Sequence, residues 1–360
     1  MKSKEKILTI LGTRPEIIRL SIIINKIDKK YKNILVHTGQ NYNYELDKIF
    51  FKNFNLRKPN YYIGAKGSFG NQLSLISKKL ENIILKEKPK KFLVLGDTNS
   101  CLGAIVAKRM GVKVFHMEAG NRCFSNKSPE EINRRIIDHS SDILLPYTTG
   151  SSQNLLAEGI KKNKIIITGN PIFEVIQKND KKIIKSNILK KFSEKKKNYF
   201  VITLHREENT DDLKKLKSFI EIFNKITLTY KKKLYWPIHP RSLKNIKKIR
   251  IKINKNLKLI KPLGFFDFIK LEKNAKFVLT DSGTVQEECA IFKIPCLIIR
   301  EYTERSETIA AGSGILVDNN KKKIFDTIDY FEKNRIKIRN IPEYLVKNVS
   351  SKILNILKNF

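Results

Sequence analysis

Short apolar runs that end at a glycine, an acid or a histidine, and then give way to helical spacing, recur along the whole of this chain. Residues 92–95 stop at Gly96-Asp97-Thr98-Asn99-Ser100, and residues 112–115 stop at His116-Met117-Glu118-Ala119-Gly120-Asn121-Arg122. Such runs read as buried strands, and the stretches between them carry apolar residues at helical periodicity. Strands alternating with helices specify an α/β fold with a mostly parallel, doubly wound sheet.

Taken in order, the chain opens with a strand over 7–11, the turn Gly12-Thr13-Arg14-Pro15-Glu16 and a helix over 17–27. Pro15 suits a first helical turn, where its missing N–H is no loss. The backbone N–H groups of that turn, with Arg14 beside them, suit an anion. A strand at 34–37 leads into Thr38-Gly39-Gln40-Asn41-Tyr42 and an amphipathic stretch at 45–51. Residues 61–70 read as irregular loop and 71–86 as helix. Helix follows again near 99–110 and at 129–139, with a strand at 142–145. After Gly169-Asn170-Pro171 comes a segment rich in Lys and Asn, and the α/β pattern then restarts. Strands are expected there at 199–204, 233–238, 257–260, 276–279 and 295–299, with a helix at 285–292. The boundaries expected are 1–173 for a first domain and 174–343 for a second, with a final helix at about 344–360 returning to the first. Two open α/β domains facing a central cleft would offer a small-molecule site.

A chain of 360 residues, 41% apolar, can bury cores of this size. Its formal charge of +37 raises the question of a nucleic-acid or membrane partner. Lysines occur in almost every segment rather than on one arm or stripe, so no nucleic-acid partner is expected. Cys101, Cys123, Cys289 and Cys296 include no CxxC pair, which argues for a reducing cytoplasm and against a structural zinc site. The run 7–11 is too short for a signal peptide, and none approaches the roughly 20 residues needed to cross a bilayer. A cytoplasmic protein is therefore expected.

The residues suited to chemistry gather at the strand ends. Asp97, Glu118 and either Glu130 or Glu131 arrive from three successive elements at one edge of a sheet. In open α/β sheets the carboxyl edge is where ligands bind, and carboxylates there can serve as general acid and base. The competing reading is three unrelated strand-end or cap residues. His205, in Leu204-His205-Arg206-Glu207, is placed to hold or protonate a phosphate leaving group. His239 has the same placement one strand later, and His37 and His116 also follow strands. The turn Asp281-Ser282-Gly283-Thr284 opens a helix as a diphosphate site would, and Glu288 lies one turn in, within reach of a ribose diol. No P-loop, HExxH, GxSxG or Cys/His metal spacing is present, so no metal or cofactor is expected.

These residues resemble the non-hydrolysing UDP-N-acetylglucosamine 2-epimerases along essentially the whole chain. The resemblance rests on Gly12-Thr13-Arg14-Pro15-Glu16, Gly96-Asp97-Thr98, Glu118-Ala119-Gly120, Pro129-Glu130-Glu131-Ile132-Asn133-Arg134, His205-Arg206-Glu207, His239-Pro240-Arg241, Asp281-Ser282-Gly283, Gln286-Glu287-Glu288 and Glu304-Arg305, in that order. It implies two Rossmann-like domains in the glycosyltransferase-B architecture, the second binding UDP, in a homodimer. It implies removal of the C2 proton with elimination of UDP, then return of the proton to the opposite face and re-addition of UDP. Asp97, Glu118 and Glu130 would carry the acid–base work and His205 would stabilise the departing diphosphate. Arg14, Arg19 and Arg305 would share its charge, and Arg134 would bind near the sugar or diphosphate. Ser282, Gly283 and Thr284 would contact phosphate, Glu288 the ribose, and Phe268 would lie near the uracil.

This chain departs from the family pattern in Arg19, where lysine is usual, in Thr284, where glycine is common, and in Ser306, where proline is usual. The stretches from Thr38 to Leu46 and from Glu118 to Phe124 are similar to the branch that makes UDP-N-acetyl-L-fucosamine from a UDP-6-deoxy-L-talosamine derivative. A retaining glycosyltransferase of the same architecture and a hydrolysing epimerase are the alternative functions.

Overall fold

The computed structural model describes residues 4–40, 44–334 and 336–360. Asn41, Tyr42 and Asn43, within the stretch from Thr38 to Leu46, lie outside the described residues. The chain forms two compact units, Met1–Lys178 together with Pro342–Phe360, and Asn179–Ile341.

The first unit holds a parallel sheet of β1 (Lys6–Leu11), β2 (Lys32–His37), β3 (Tyr61–Tyr62), β4 (Lys91–Leu95), β5 (Lys113–Met117) and β6 (Ile143–Leu145), in the order β3-β2-β1-β4-β5-β6. Its central strands are apolar and buried along their length, as a sheet covered on both faces requires. The second unit repeats the design with β7 (Tyr199–Thr203), β8 (Lys233–Pro237), β9 (Leu257–Ile260), β10 (Val278–Thr280), β11 (Cys296–Ile298) and β12 (Gly314–Leu316), in the order β12-β11-β10-β7-β8-β9. Every pairing is parallel, from β1 with β2 and β4 to β11 with β12. In both sheets the order reverses beside the first strand of the unit, between β1 and β4 and between β7 and β10. That reversal opens a crevice at the carboxyl ends, where this class of sheet binds its ligands.

Period-2 alternation divides β7 between two cores. Phe200 and Ile202 join Phe219, Phe223 and Trp236 on one face, while Tyr199 and Val201 join Leu271, Val285 and Cys289 on the other. Phe200 stacks on Phe277 with ring centroids 3.9 Å apart. Cutting such a ring back to alanine costs about 3–5 kcal/mol. In the first unit the Arg14–Lys30 helix buries Ile17, Leu20, Ile23, Ile24 and Ile27, a stripe at helical spacing. The Val349–Asn359 helix packs on that helix. Its first turn is fixed by Ser350, whose backbone N–H and hydroxyl both donate to Glu174, at 2.8 and 2.5 Å.

Several elements differ from their sequence-based outlines. Residues 61–70 are not wholly irregular: β3 adds a strand to the sheet edge, and Ile63 N donates to His37 O at 2.8 Å. Tertiary pairing made that strand, and its glycine-rich surroundings did not announce it. The stretch 99–110 is a 3₁₀ turn, Asn99–Leu102, followed by the Gly103–Arg109 helix. The helix expected from 285 begins at Gly283. A short 3₁₀ turn, Pro342–Leu345, precedes the last helix.

Candidate active site

At the first switch point, Glu16 joins the turns that follow β1 and β4. Its carboxylate accepts from Gly12 N at 2.5 Å and Thr13 N at 2.8 Å, and from the Thr98 hydroxyl at 2.6 Å. The sequence reading offered those backbone N–H groups to an external anion. The structure gives them to the chain's own carboxylate, because Glu16 stands at the third helical position and reaches back over the helix start. Burial raises the Glu16 pKa above the ordinary carboxyl value, against the pull of these hydrogen bonds.

Asp97 follows β4 with its carboxylate 22% exposed and in contact with Arg134, at 2.6 Å to Nη2 and 2.9 Å to Nε. Both nitrogens meet Oδ2, and charge on donor and acceptor strengthens the pair. Asn133 Nδ2 donates to the Asp97 carbonyl at 2.9 Å. The Pro129–Ser140 helix is thereby tied to the loop after β4. Glu118 follows β5 and is buried in an ion pair with Arg19, whose guanidinium lies over the Tyr147 ring. Glu118 sits at φ +67°, a left-handed conformation that costs a non-glycine residue about 1–3 kcal/mol. Such strain is held where surrounding structure over-determines it, typically at functional positions. Asn121 Nδ2 donates to Glu118 Oε1 at 3.3 Å.

The two acids considered for the third position separate clearly. Glu130 is half-buried and accepts from Ser128 Oγ at 2.8 Å. Glu131 is buried, and its carboxylate accepts from Cys123 N at 2.9 Å, from Arg134 at 3.2 Å and from Arg135 at 3.3 Å. Glu131 therefore braces the loop and the arginines, while Glu130 keeps more of its surface. Asp97, Glu118 and Glu130 thus sit at the carboxyl edge of the first sheet, on three successive elements.

His116 is fully buried behind this edge, with Nδ1 2.8 Å from Asp138 Oδ1 and Nε2 2.9 Å from the Gly96 carbonyl. It is a supporting group without access to solvent. His37 is likewise buried, stacked on Tyr62, and burial lowers its pKa to about 4. Arg14 is half-buried at the helix start, and His239 is half-buried after β8.

At the second switch point the joining acid is Asp281, after β10. Its carboxylate accepts from the backbone N–H of His205 at 3.0 Å and of Arg206 at 2.9 Å, and from Asn209 Nδ2 at 3.1 Å. The same carboxylate lies 3.0 Å from His205 Nδ1, with the His205 side chain 45% exposed and that of Asp281 fully buried. Burial alone would raise the Asp281 pKa; the His205 charge and hydrogen bond, with the donors of Arg206, outweigh it and hold the carboxyl well below its ordinary range. Sequence reasoning took Asp281 as part of a phosphate turn and missed it as the orienting partner of His205. An acid placed directly at a strand end was its only signal.

Ser282 caps the Gly283–Phe292 helix, and its own N–H is taken by the Thr280 hydroxyl at 2.9 Å. Thr284 stands second in that helix. A side-chain carbon at Gly283 would lie 2.6 Å from Glu304 Oε1, so a larger residue there would displace the Glu304 carboxylate. Arg305 is buried in ion pairs with Glu287 and, at 3.6 Å, Glu304. Arg19 and Arg305 are both engaged in buried pairs within their own units. Glu288 is buried beside Glu272, and Phe268 is half-buried against the core of Tyr199 and Val201. Among the described residues no cluster of three or more His, Cys, Asp or Glu could hold a metal ion. No described helix is long and apolar enough to cross a membrane.

Two parallel sheets of identical strand order, each with a charged group set at its switch point, define a Rossmann-like α/β protein of two units. The family model for UDP-N-acetylglucosamine 2-epimerase matches residues 25–358. The UDP-N-acetylglucosamine 2-epimerase of Methanocaldococcus jannaschii is 43% identical over 336 residues, covering 90% of this chain and 91% of the relative. The crystal structure of a Methanocaldococcus jannaschii enzyme of that name, in complex with UDP-GlcNAc and UDP, is 40% identical, with a TM-score of 0.92 over 99% of this chain and 100% of that one. The UDP-2,3-diacetamido-2,3-dideoxy-D-glucuronate 2-epimerase of Pseudomonas aeruginosa is 36% identical over 87% of this chain and 88% of its own length. The chain belongs to the UDP-N-acetylglucosamine 2-epimerase family and is an isomerase of that type.

Proposed function

We propose that this chain epimerises C2 of a UDP-N-acetylaminosugar without hydrolysis, by eliminating UDP and adding it back. A carboxylate takes the C2 proton, the C1–O bond breaks with its electron pair leaving on UDP, and a C1=C2 double bond forms. A second carboxyl group then delivers a proton to the opposite face of C2 as UDP re-adds at C1. Exchange on two faces of a ring requires more than one acid–base group, and Asp97, Glu118 and Glu130 supply them. The observation that carries this reading is their arrival from three successive elements at the carboxyl edge of one parallel sheet, with Arg134 fixing Asp97 and Arg19 fixing Glu118.

His205, oriented by Asp281, stabilises the departing diphosphate. Arg14, Arg19 and Arg305 share its negative charge, and Arg134 lies near the sugar or diphosphate. Ser282, Gly283 and Thr284 contact phosphate, Glu288 the ribose and Phe268 the uracil. The chemistry needs no cofactor and no metal. The resemblance also supports a cytoplasmic homodimer that serves surface polysaccharide synthesis.

UDP-N-acetylglucosamine is the first candidate substrate, since the relatives at 42–43% identity carry that name. The relative at 36% named for a diacetamido glucuronate supports a reaction centre that tolerates other sugars. The stretches from Thr38 to Leu46 and from Glu118 to Phe124 keep the UDP-6-deoxy-L-talosamine derivative as the second candidate. The deciding experiment incubates the purified chain with each UDP-sugar in deuterated buffer, without an acceptor. An epimer carrying deuterium at C2 is expected. Product with only protium there, or free sugar accumulating with UDP, would defeat the proposal.

A further inference from the structure

We propose that His116 and Asp138 form a buried post that sets the spacing of the three candidate acids, and that its decisive contact is from His116 to the Gly96 carbonyl. This rests on the reading of Asp97, Glu118 and Glu130 as the acid–base groups. Neither residue of the post touches substrate, since the side chains of both are wholly enclosed. They are positioning residues.

The post reaches from β5 to the loop after β4 and to the Pro129–Ser140 helix. His116 lies in β5, two residues before Glu118, and its Nε2 meets the carbonyl of Gly96, the residue before Asp97, at 2.9 Å. Asp138 lies in the Pro129–Ser140 helix that carries Glu130, and its Oδ1 meets His116 Nδ1 at 2.8 Å. Its other oxygen accepts from Gly120 N at 3.1 Å and from Arg122 Nη2 at 2.7 Å, both in the loop after Glu118. Arg122 is anchored in turn on Glu158, at 2.7 Å from Nε and 2.7 Å from Nη2. One pair of side chains therefore bonds to every element that brings an acid to the edge.

The hydrogen-bond roles follow from the partners. The Gly96 carbonyl can only accept, so Nε2 carries a proton and donates. Burial would by itself raise the Asp138 pKa, but the bond and charge of His116 and the charge of Arg122 pull it below the ordinary value. The carboxylate is thus an acceptor and Nδ1 donates as well. A side chain with two donated bonds inside a packed interior has one orientation, and it transmits that orientation to the loops it holds. The charges around the post come from each packed element: Asp138 from the helix, Arg122 from the loop after β5, and Glu158 beyond it, with His139 Nε2 3.5 Å from Glu158.

The two nitrogens can be separated by substitution. The His116→Gln amide can reach the Gly96 carbonyl, whereas the His116→Asn amide is the shorter mimic and keeps the bond to Asp138. Displacing a reacting group by about 1 Å costs about 100-fold in rate. We expect His116→Asn to lower kcat by about that factor, and His116→Gln by less than about 10-fold. KM and UDP affinity should stay within about 3-fold in both, because the post meets no ligand. Equal kcat in both variants and the parent would overturn the proposal, as would a rise in KM with kcat intact or an equal loss in both.

Melting curves show whether each variant folds. Should neither His116 variant fold, Asp138→Asn gives the second test. It retains the shape and opens no cavity but loses the charge that holds His116 and Arg122, and unaltered kcat in a folded Asp138→Asn protein would overturn the post. Asp97→Asn separates this inference from the reading beneath it. If Asp97→Asn turns over normally, the acid assignment falls; if it is inactive while the post variants are unaffected, only the post falls.

Discussion

Asp281 and His205 stand on opposite sides of the strand-order reversal in the second sheet, and the buried carboxylate meets Nδ1 of the histidine at 3.0 Å. The same carboxylate holds the His205 backbone N–H at 3.0 Å, so ring and main chain are fixed by one group. With Nδ1 engaged, Nε2 is the nitrogen that the proposed mechanism turns toward the leaving diphosphate. Asp281→Asn retains the shape and loses the charge. It should lower kcat by about 10–100-fold while UDP affinity changes little, as loss of an orienting partner does. Steady-state kinetics beside UDP titration calorimetry checks this. A loss of UDP binding equal to the loss of kcat would mean that Asp281 serves binding instead.

Asp97 and Glu118 should behave alike in catalysis and unlike in stability. Under the proposed mechanism, Asp97→Asn and Glu118→Gln each remove an acid–base group, with an expected loss of about 10²–10⁴-fold in turnover. Deuterium incorporation at C2 should vanish in both while UDP still binds. Glu118→Gln also breaks the buried ion pair with Arg19, and breaking a buried pair from one side costs about 3–5 kcal/mol. Asp97 is partly exposed, and its partner Arg134 also contacts Glu131 at 3.2 Å. The melting temperature should therefore fall much further in Glu118→Gln. Equal melting points would show that the Arg19 pair contributes little to the fold.

Gly120 has no room for a side chain. It has φ +77°, and an added Cβ would lie 2.1 Å from the Ser151 carbonyl oxygen, which is main chain and cannot swing away. Gly120→Ala should displace the loop that joins Glu118 to Arg122. Turnover should fall by at least about 100-fold, since reacting groups tolerate little displacement. The crystal structure of the variant, or its melting curve, checks the cause. Full activity would mean that the loop accommodates the methyl group without moving Glu118.

Much of this arrangement was legible in the residues. The apolar runs before Asp97, Glu118 and His205 are buried strands, legible as short continuous apolar runs because both faces of the sheet are covered. The β3 edge strand was not legible, since two residues leave no period to read. At the site, the positions of the acids could be read but not their partners. Glu16 read as the last residue of the turn before the first helix, and only the fold brings Thr98 against it. Glu130 and Glu131 are adjacent in sequence and equivalent in composition. Helix geometry turns one inward onto Cys123 and Arg134 and leaves the other at the edge. His116 read as a strand-end histidine, and its buried partners come from segments 20 and 22 residues away. Partnerships of that kind depend on tertiary contacts that local spacing does not encode.

Glu272 gives the fold a dependence on pH that lies outside catalysis. Its carboxyl is fully buried beside Glu288, with Cys289 Sγ 3.4 Å from Oε1. Burial first, and the neighbouring Glu288 second, push its pKa well above the ordinary carboxyl value. In the unfolded chain the same group titrates near about 4.3. Above that pH the folded chain holds a proton that the unfolded chain has released. The stability this group contributes is complete below the unfolded value and drains away as pH rises toward the folded one, with a slope of at most about 1.4 kcal/mol per pH unit. Glu272→Gln keeps the volume and a donor toward Glu288 and removes the titration. Urea midpoints should fall, as pH rises above about 4.3, more steeply in the parent chain than in the variant, which gains on it over that range. Parallel midpoints across that range would mean that Glu272 is ionised in the folded chain and finds its counter-charge elsewhere.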